Sequence, residues 1–173
     1  IFAFLYEGFW LWLQGFPDRA AGAAQRAVEL ARDLRHPFQL CFALCNGSVA
    51  FALRREHGPV FAQVEECVKL AKEHLIPTFR VYAPLMGAPA LMDREPGLAV
   101  LARLRRCAAA ALGSEARMHV PLYLVHLAEA HERLGDLTEA NAVIAGALEM
   151  VETTGERWIE PELHRTRARL LRQ

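Results

Sequence analysis

Residue classes recur with a period of about 40 residues along this 173-residue chain. Steps of one period from Gly8 meet only small side chains, namely Ser48, Ala88, Ala128 and Ala168. The same steps from Ala27 also meet small side chains, namely Cys67, Cys107 and Ala147. A period of this size is typical of stacked helical repeats, in which each repeat buries one face against the next. We therefore predict an all-α fold, a right-handed α-solenoid of antiparallel helix pairs with four pairs and a terminal helix.

Each repeat is predicted to hold a helix A, a short turn and a helix B. Proline and glycine mark the turns, as in Gly15-Phe16-Pro17-Asp18 after the first helix A and His36-Pro37 after the first helix B. The predicted helices A cover about 1–14, 38–54, 78–92 and 118–134, and the helices B about 18–35, 60–74, 96–112 and 137–153. Pro84 and Pro89 are expected to kink the third helix A, because proline removes a backbone hydrogen bond.

These helices are expected to form one repeat domain over residues 1–173, a fragment of a longer protein. The units are predicted at about 1–36, 37–76, 77–116 and 117–156, with a terminal helix over 157–173. The segment Ile1–Phe16 carries one charge, Glu7, and an apolar helix of this kind is normally covered on two sides. Its aromatic residues fit either a core normally covered by a neighbouring helix or a ligand pocket. No stretch alternates with period two, so no sheet is expected.

Composition argues against several classes of protein. Basic and acidic side chains number 20 each, so no basic surface for nucleic acid is expected. The apolar segment Ile1–Phe16 is shorter than the about 20 residues that cross a bilayer, and it lacks the parts of a signal peptide. Four cysteines are predicted to be reduced, buried thiols, namely Cys41, Cys45, Cys67 and Cys107. These features predict a cytoplasmic protein without a membrane or nucleic-acid partner.

No motif for catalysis occurs in the sequence, whether a P-loop, GxSxG, GxGxxG or HExxH. His119, His126 and His131 are seven and five residues apart, whereas two zinc ligands on a helix face stand four apart. Glu129 and Glu132 share a helix face with His126, which leaves acid–base chemistry open, but a solvated polar face is the expectation. We therefore predict that the chain is no enzyme and has no catalytic residue, metal or cofactor.

The small residues of the repeat resemble the tetratricopeptide repeat, whose pattern also has a glycine in the turn. The matching residues are Gly8, Gly15, Ala20 and Ala27 in the first unit and Ala128, Gly135, Ala140 and Ala147 in the fourth. The middle units depart, with Arg55 and Glu95 in place of the turn glycine and Val60 and Val100 in place of alanine. The usual unit has about 34 residues, so these helices are longer.

The longer unit is similar to repeat arrays at the C-terminal ends of large bacterial signalling regulators. Those proteins join a class III cyclase-like or DNA-binding head to a STAND-type or AAA-type ATPase and then to the array. The segments that carry this resemblance are GFPDRAAGAAQRAVELARDLRHPF, LAEAHERLGDLTEA and GERWIEPELHRTRARLL.

In the resembling repeats, helix A residues line a concave groove. Carried over to this chain, the candidate binding residues are Asn46, Val49, Tyr82, Met86, His126, Glu129, Glu132, Arg133, Arg165 and Arg169. The same carry-over also places Phe42, Cys45, Leu85, Met92, Leu122 and Val125 along the groove. Asn46 is the strongest candidate for binding a peptide backbone, since its amide both donates and accepts. A hydrogen bond within its own helix is the equally weighted alternative.

The resemblance implies a non-enzymatic protein-interaction or regulatory scaffold domain of a bacterial signalling or transcriptional regulator. Its partner would be a peptide, a protein or its own ATPase or cyclase head, bound in the concave groove. The alternative is a small-ligand sensor with a pocket between repeats, which Pro84 and Pro89 motivate. An enzyme with an unrecognised site is a third interpretation. A homodimer through the apolar N-terminal helix is a further expectation.

Overall fold

The computed structural model describes residues 1–95, 97–114 and 119–173. Within these ranges the chain forms ten α-helices and one short 3-10 helix, and it contains no strand. The helices are α1 (Phe2–Leu13), α2 (Pro17–Asp33), α3 (Pro37–Leu53), α4 (His57–Glu73), α5 (Pro77–Met86), α6 (Ala88–Arg94), α7 (Leu98–Leu112), α8 (Val120–Arg133), α9 (Leu137–Thr154) and α10 (Glu160–Leu170). The 3-10 turn Arg157–Ile159 precedes α10. The predicted all-α fold of successive helix pairs is confirmed.

Two helices differ from the prediction. The helix α4 begins at His57, ahead of the predicted start, because Gly58 and Pro59 both fit its first turn. The third helix A is not one kinked helix but two, α5 and α6, separated by Gly87. The predicted helix starts at residues 96 and 118 lie outside the described residues.

Backbone dihedral angles reproduce the repeat. The turn between helices A and B has a positive φ at Gly15, Arg55 and Gly135, which stand one and then two repeat lengths apart. The turn between one repeat and the next has a positive φ at Arg35, Leu75 and Gly155, with the same spacings. The left-handed conformation reverses the chain within a few residues at each of these helix ends. Arg55, which departs from the turn glycine of the first and fourth units, has a φ of 59° and so adopts the same left-handed conformation as Gly15 and Gly135.

The chain divides into two compact units, residues Ile1–Ala90 and Leu91–Gln173. In the first unit each helix packs against the next one, and α3 lies between α1 and α5. Small residues occupy the tight crossings, since a Cβ atom on Gly8 would lie 3.1 Å from the backbone oxygen of Ala20. Ala27 and Cys67, one repeat apart, are both fully buried. These contacts explain why the sequence keeps small side chains in register.

The break between α5 and α6 is packed against α4. A Cβ atom on Gly87 would come within 2.9 Å of Val64, so no larger residue fits there without movement. Pro84 lies inside α5, whereas Pro89 is the second residue of α6, a position that needs no backbone donor. The neighbouring Met86 and Ala88 are fully buried.

In the second unit α8 is the central helix and packs against α7, α9 and α10. Every residue of α8 from Val120 to His131 is buried, which accounts for its apolar sequence. Asp136 caps α9 by accepting a hydrogen bond from the Glu139 backbone N–H at 3.3 Å. Gly155 ends α9 in the left-handed conformation, which glycine adopts without a steric penalty.

Candidate functional site

The predicted groove residues of the first unit are mostly part of its core. Val49 and Tyr82 are 7% and 8% exposed, and Met86 is fully buried. Their helices α3 and α5 pack directly against each other, so these side chains fill the contact between them. They belong to the hydrophobic core, and the binding role assigned to them stays a prediction.

Asn46 lies half-buried on α3, and its side-chain N–H donates to the backbone oxygen of Phe42 at 2.9 Å. This bond is the within-helix alternative that the sequence left open for Asn46. It fixes the orientation of the amide against the backbone one helical turn earlier.

Four phenylalanine rings make contact across three helices A of the first unit. Phe2 on α1 lies 4.6 Å from the ring of Phe42 on α3, measured between ring centres. The ring of Phe42 is 6.4 Å from that of Phe79 on α5, and Phe79 is 5.4 Å from Phe38 on α3. All four residues belong to the first or second turn of their helices. We call Phe2, Phe38, Phe42 and Phe79 the aromatic row.

The aromatic row combines a ring buried in the core with rings that are partly exposed to solvent. Phe79 is 4% exposed, whereas Phe2 and Phe38 are 47% and 43% exposed. Rings held in this way offer apolar surface at a small entropic cost, since their neighbours already restrict them. Sequence reasoning named Phe42 as a groove residue but missed Phe38 and Phe79. The signal that could have found them is an aromatic residue just after the helix-starting Pro37 and Pro77.

The predicted groove residues of the second unit are brought together as an ion-pair cluster. The Arg169 guanidinium on α10 donates to Glu132 on α8 at 2.7 and 3.1 Å, and to Glu129 at 3.3 Å. The side-chain amide of Gln173 donates to Glu132 at 2.6 Å. Because α10 packs over α8, both carboxylates are largely covered. Charge-assisted, two-pronged bonds of this kind fix the position of α10 on α8.

The expected solvated polar face on α8 is wrong. His126 and Glu129 are only 5% and 6% exposed, since the neighbouring helices and Arg169 cover them. Burial of this extent also separates these groups from a substrate in solution, so the cluster does not resemble an open acid–base site.

Two further arginines of the predicted groove pair with carboxylates of the second unit. Arg133 on α8 bonds Asp93 on α6, and Arg165 bonds Glu162 within α10. The hydrogen bond that Arg165 donates to Glu162 is the main cause that raises the pKa of Arg165 above its ordinary value. Asp93 and Arg133 are one repeat length apart, as are Glu129 and Arg169. In both pairs, therefore, a spacing of one repeat length connects a helix A with the next helix A.

His119 and His131 of the second unit contact different carboxylates and do not form one site. His131 is buried and its Nδ1 lies 3.0 Å from the Asp136 carboxylate, a contact that lowers the pKa of Asp136. The backbone N–H of His119 donates to Glu156 at 3.2 Å, and burial lowers the pKa of the His119 ring to about 4. Among the described residues no group of three histidine, cysteine or carboxylate side chains is placed to hold a metal ion.

The thiols of Cys41 and Cys67 form hydrogen bonds between α3 and α4, each to a backbone oxygen of the other helix. Cys41 Sγ donates to the Cys67 backbone oxygen at 3.7 Å, and Cys67 Sγ donates to the Cys41 oxygen at 3.4 Å. Burial raises the pKa of both thiols and that of Cys45, the last to about 12. All three are buried free thiols, as the sequence predicts, and Cys107 is partly buried. Protonated thiols in such surroundings are poor nucleophiles.

No protein-family model matches this chain, and no curated protein matches it either. The assignment to tetratricopeptide-like repeats of regulatory proteins therefore stays a prediction. Within the described ranges, no helix is long and apolar enough to span a membrane.

Proposed function

We propose that the chain is a non-enzymatic interaction domain that binds a protein or peptide segment through the aromatic row. The observation that supports this most directly is the set of ring contacts from Phe2 through Phe42 to Phe79, with Phe2 and Phe38 about half exposed. Partly exposed aromatic side chains held by a rigid helical scaffold are the usual anchors of protein interfaces.

The chemistry of the row favours an apolar partner segment. Its rings lie across the first two turns of α1, α3 and α5, so an elongated ligand could contact several of them at once. An amphipathic helix or an extended peptide satisfies such a surface with two or three apolar side chains. The salt-bridged face of the second unit is a poorer candidate, because Glu129, Glu132 and Arg169 already bind one another.

We further propose that this binding regulates a larger bacterial signalling protein, with the partner either a separate protein or an ATPase or cyclase head of the same polypeptide. The support is the resemblance of the repeat unit to such arrays and the lack of a catalytic motif in the sequence. Cytoplasmic location belongs to the same proposal.

The test is selection of binding peptides from a random library displayed on phage, followed by affinity measurements with synthetic peptides. Selected peptides should carry apolar residues at helical or alternating spacing and bind with a Kd on the order of 1–100 µM. Phe2→Ala and Phe38→Ala should each weaken binding by roughly 10- to 30-fold, as loss of a central interface ring does. Leu98→Ala, at another exposed apolar residue, is the matched control and should bind as the parent does.

Peptides that bind the two phenylalanine variants as well as the parent would refute the role of the row. Failure to select any peptide, together with a melting temperature raised by a small metabolite, would move the assignment to a ligand sensor. Far-UV circular dichroism of both variants should match the parent, because each ring is nearly half exposed.

A further inference from the structure

The helix α1 presents a second apolar surface on its outer side. Phe2, Tyr6, Trp10 and Leu13 follow one another at intervals of three and four residues and are 47%, 57%, 60% and 43% exposed. Residues at this spacing form one stripe along a helix. We call these four residues the α1 stripe. Its opposite side, with Gly8 and Leu11, packs on α2.

The uncovered area is sufficient for a small specific interface. With about 150–250 Å² of surface per aromatic side chain, the exposed fractions of the stripe leave roughly 400 Å² of apolar surface uncovered. With the exposed neighbours Ala3 and Gln14, the total uncovered surface of this side of α1 is about 500 Å² per copy. Two such faces together would bury about 1,000 Å², the lower limit for a specific interface.

The stripe is complementary to itself. It contains no charged side chain, so a copy related by a two-fold axis meets apolar surface with apolar surface along the whole helix. The one charge of α1, Glu7, is exposed and follows Tyr6 by about 100° around the helix. It therefore lies at the rim, where it stays in water when two stripes meet. Side chains four residues apart form the ridges that interdigitate when two helices pack.

We propose that two copies of this chain associate through their α1 stripes. Phe2 belongs to both surfaces, whereas Tyr6 and Trp10 belong only to the α1 stripe and Phe38 only to the aromatic row. Substitutions at Tyr6, Trp10 and Phe38 therefore distinguish self-association from peptide binding. Because each copy contributes only about 500 Å², we expect a reversible dimer with a dissociation constant on the order of 1–100 µM.

Sedimentation equilibrium of the whole chain between about 1 and 300 µM tests this, with tryptophan emission as a second readout. The parent should change from monomer to dimer across this range, and its emission should shift to the blue as Trp10 leaves water. Tyr6→Glu and Trp10→Glu should each weaken the dimer at least about 100-fold, because two copies of the charge would be buried in a symmetric interface. Leu98→Glu places a charge at an exposed leucine of α7 and should dimerise as the parent does.

A parent that stays monomeric at the highest concentration would overturn the proposal. Dimers that persist in Tyr6→Glu and Trp10→Glu would also overturn it, since they would have to use another surface. Open-ended assembly without a dimer plateau would exclude the two-fold pairing. Phe38→Ala, which removes a ring of the row, should leave the dimer unchanged, so failure of peptide binding and failure of dimerisation are distinguishable.

Discussion

Leu75→Gly should stabilise the first unit. Leu75 holds a left-handed conformation, with φ at +55°, and its side chain is 80% exposed. A residue with a Cβ atom pays about 1–2 kcal/mol for this conformation, whereas glycine loses about 0.5–1 kcal/mol in extra chain entropy. The lost leucine contacts are few because the side chain is mostly in water. We therefore expect the free energy of unfolding to rise by about 0.5–1 kcal/mol.

Gly155→Ala tests the same reasoning in reverse. Gly155 occupies the equivalent turn two repeats later, with φ at +73°, and an added Cβ atom would meet no other atom within 4 Å. Any loss of stability then comes from the backbone conformation alone, and we expect about 1 kcal/mol. Leu75→Ala is the matched control, since it shortens the side chain and keeps the Cβ atom.

Urea unfolding followed by circular dichroism measures both changes, and calorimetry gives the melting temperature. A change of about 1 kcal/mol corresponds to about 2–4 °C for a chain of this length. If the two compact units unfold separately, each variant should move one transition only. Leu75→Gly with a lower midpoint than Leu75→Ala, or Gly155→Ala with the parent's midpoint, would refute the argument.

Four further predictions concern packing and charge. Arg169→Ala should destabilise the second unit by about 2 kcal/mol, because it removes the cation that two covered carboxylates share, whereas Arg165→Ala should change urea stability by less than about 0.5 kcal/mol. Gly87→Ala should cost about 1–3 kcal/mol, since its Cβ atom would overlap α4, and a parent-like urea midpoint would contradict this. Ala128→Phe should remove the calorimetric transition of the second unit, because Ala128 is fully buried. The pKa of His119, about 4, lies below its ordinary value of 6.5, so protonation favours the unfolded chain and stability falls as pH drops from 6.5 towards 4. At pH 5 this loss is about 2 kcal/mol relative to pH 8, and His119→Asn should abolish that share of the pH dependence in urea titrations.

The succession of helix pairs and their register could be predicted from the sequence because both depend on local, repeated information. The small residues at Gly8, Ala27 and Ala128 limit how closely helices cross, and proline and glycine mark the turns. These signals recur from repeat to repeat. A helix boundary that is ambiguous in one repeat can therefore be assigned from the equivalent residues of another repeat.

The break at Gly87 could not be predicted in the same way. Gly87 has an ordinary negative φ, and the reason for glycine is its distance to Val64, which belongs to the preceding helix α4. Nothing in the local sequence reveals such a contact. The prolines gave the correct region but not the separation into two helices.

The candidate sites were only partly predictable for a related reason. The alignment with known repeats gave the correct helices for Glu129 and Arg169, but their mutual pairing follows from how α10 lies on α8. The aromatic row depends on ring contacts between three helices, of which only the position of Phe42 followed from the repeat. The repeat pattern constrains the Cα positions. Which partner a long side chain contacts depends on how the helices pack in the folded chain.

The equal length of the repeats determines which deletions the chain can tolerate. Removing residues 37–76 would join two equivalent turns and bring Tyr82 to the place that Phe42 holds beside Phe2. A deletion that is shorter or longer than a whole repeat would instead join residues that are not equivalent, and it would change the length of a helix or turn at the junction. We therefore expect the chain to tolerate the loss or gain of a whole repeat better than other changes of length, and recombination between repeats is a way for such arrays to differ by whole units.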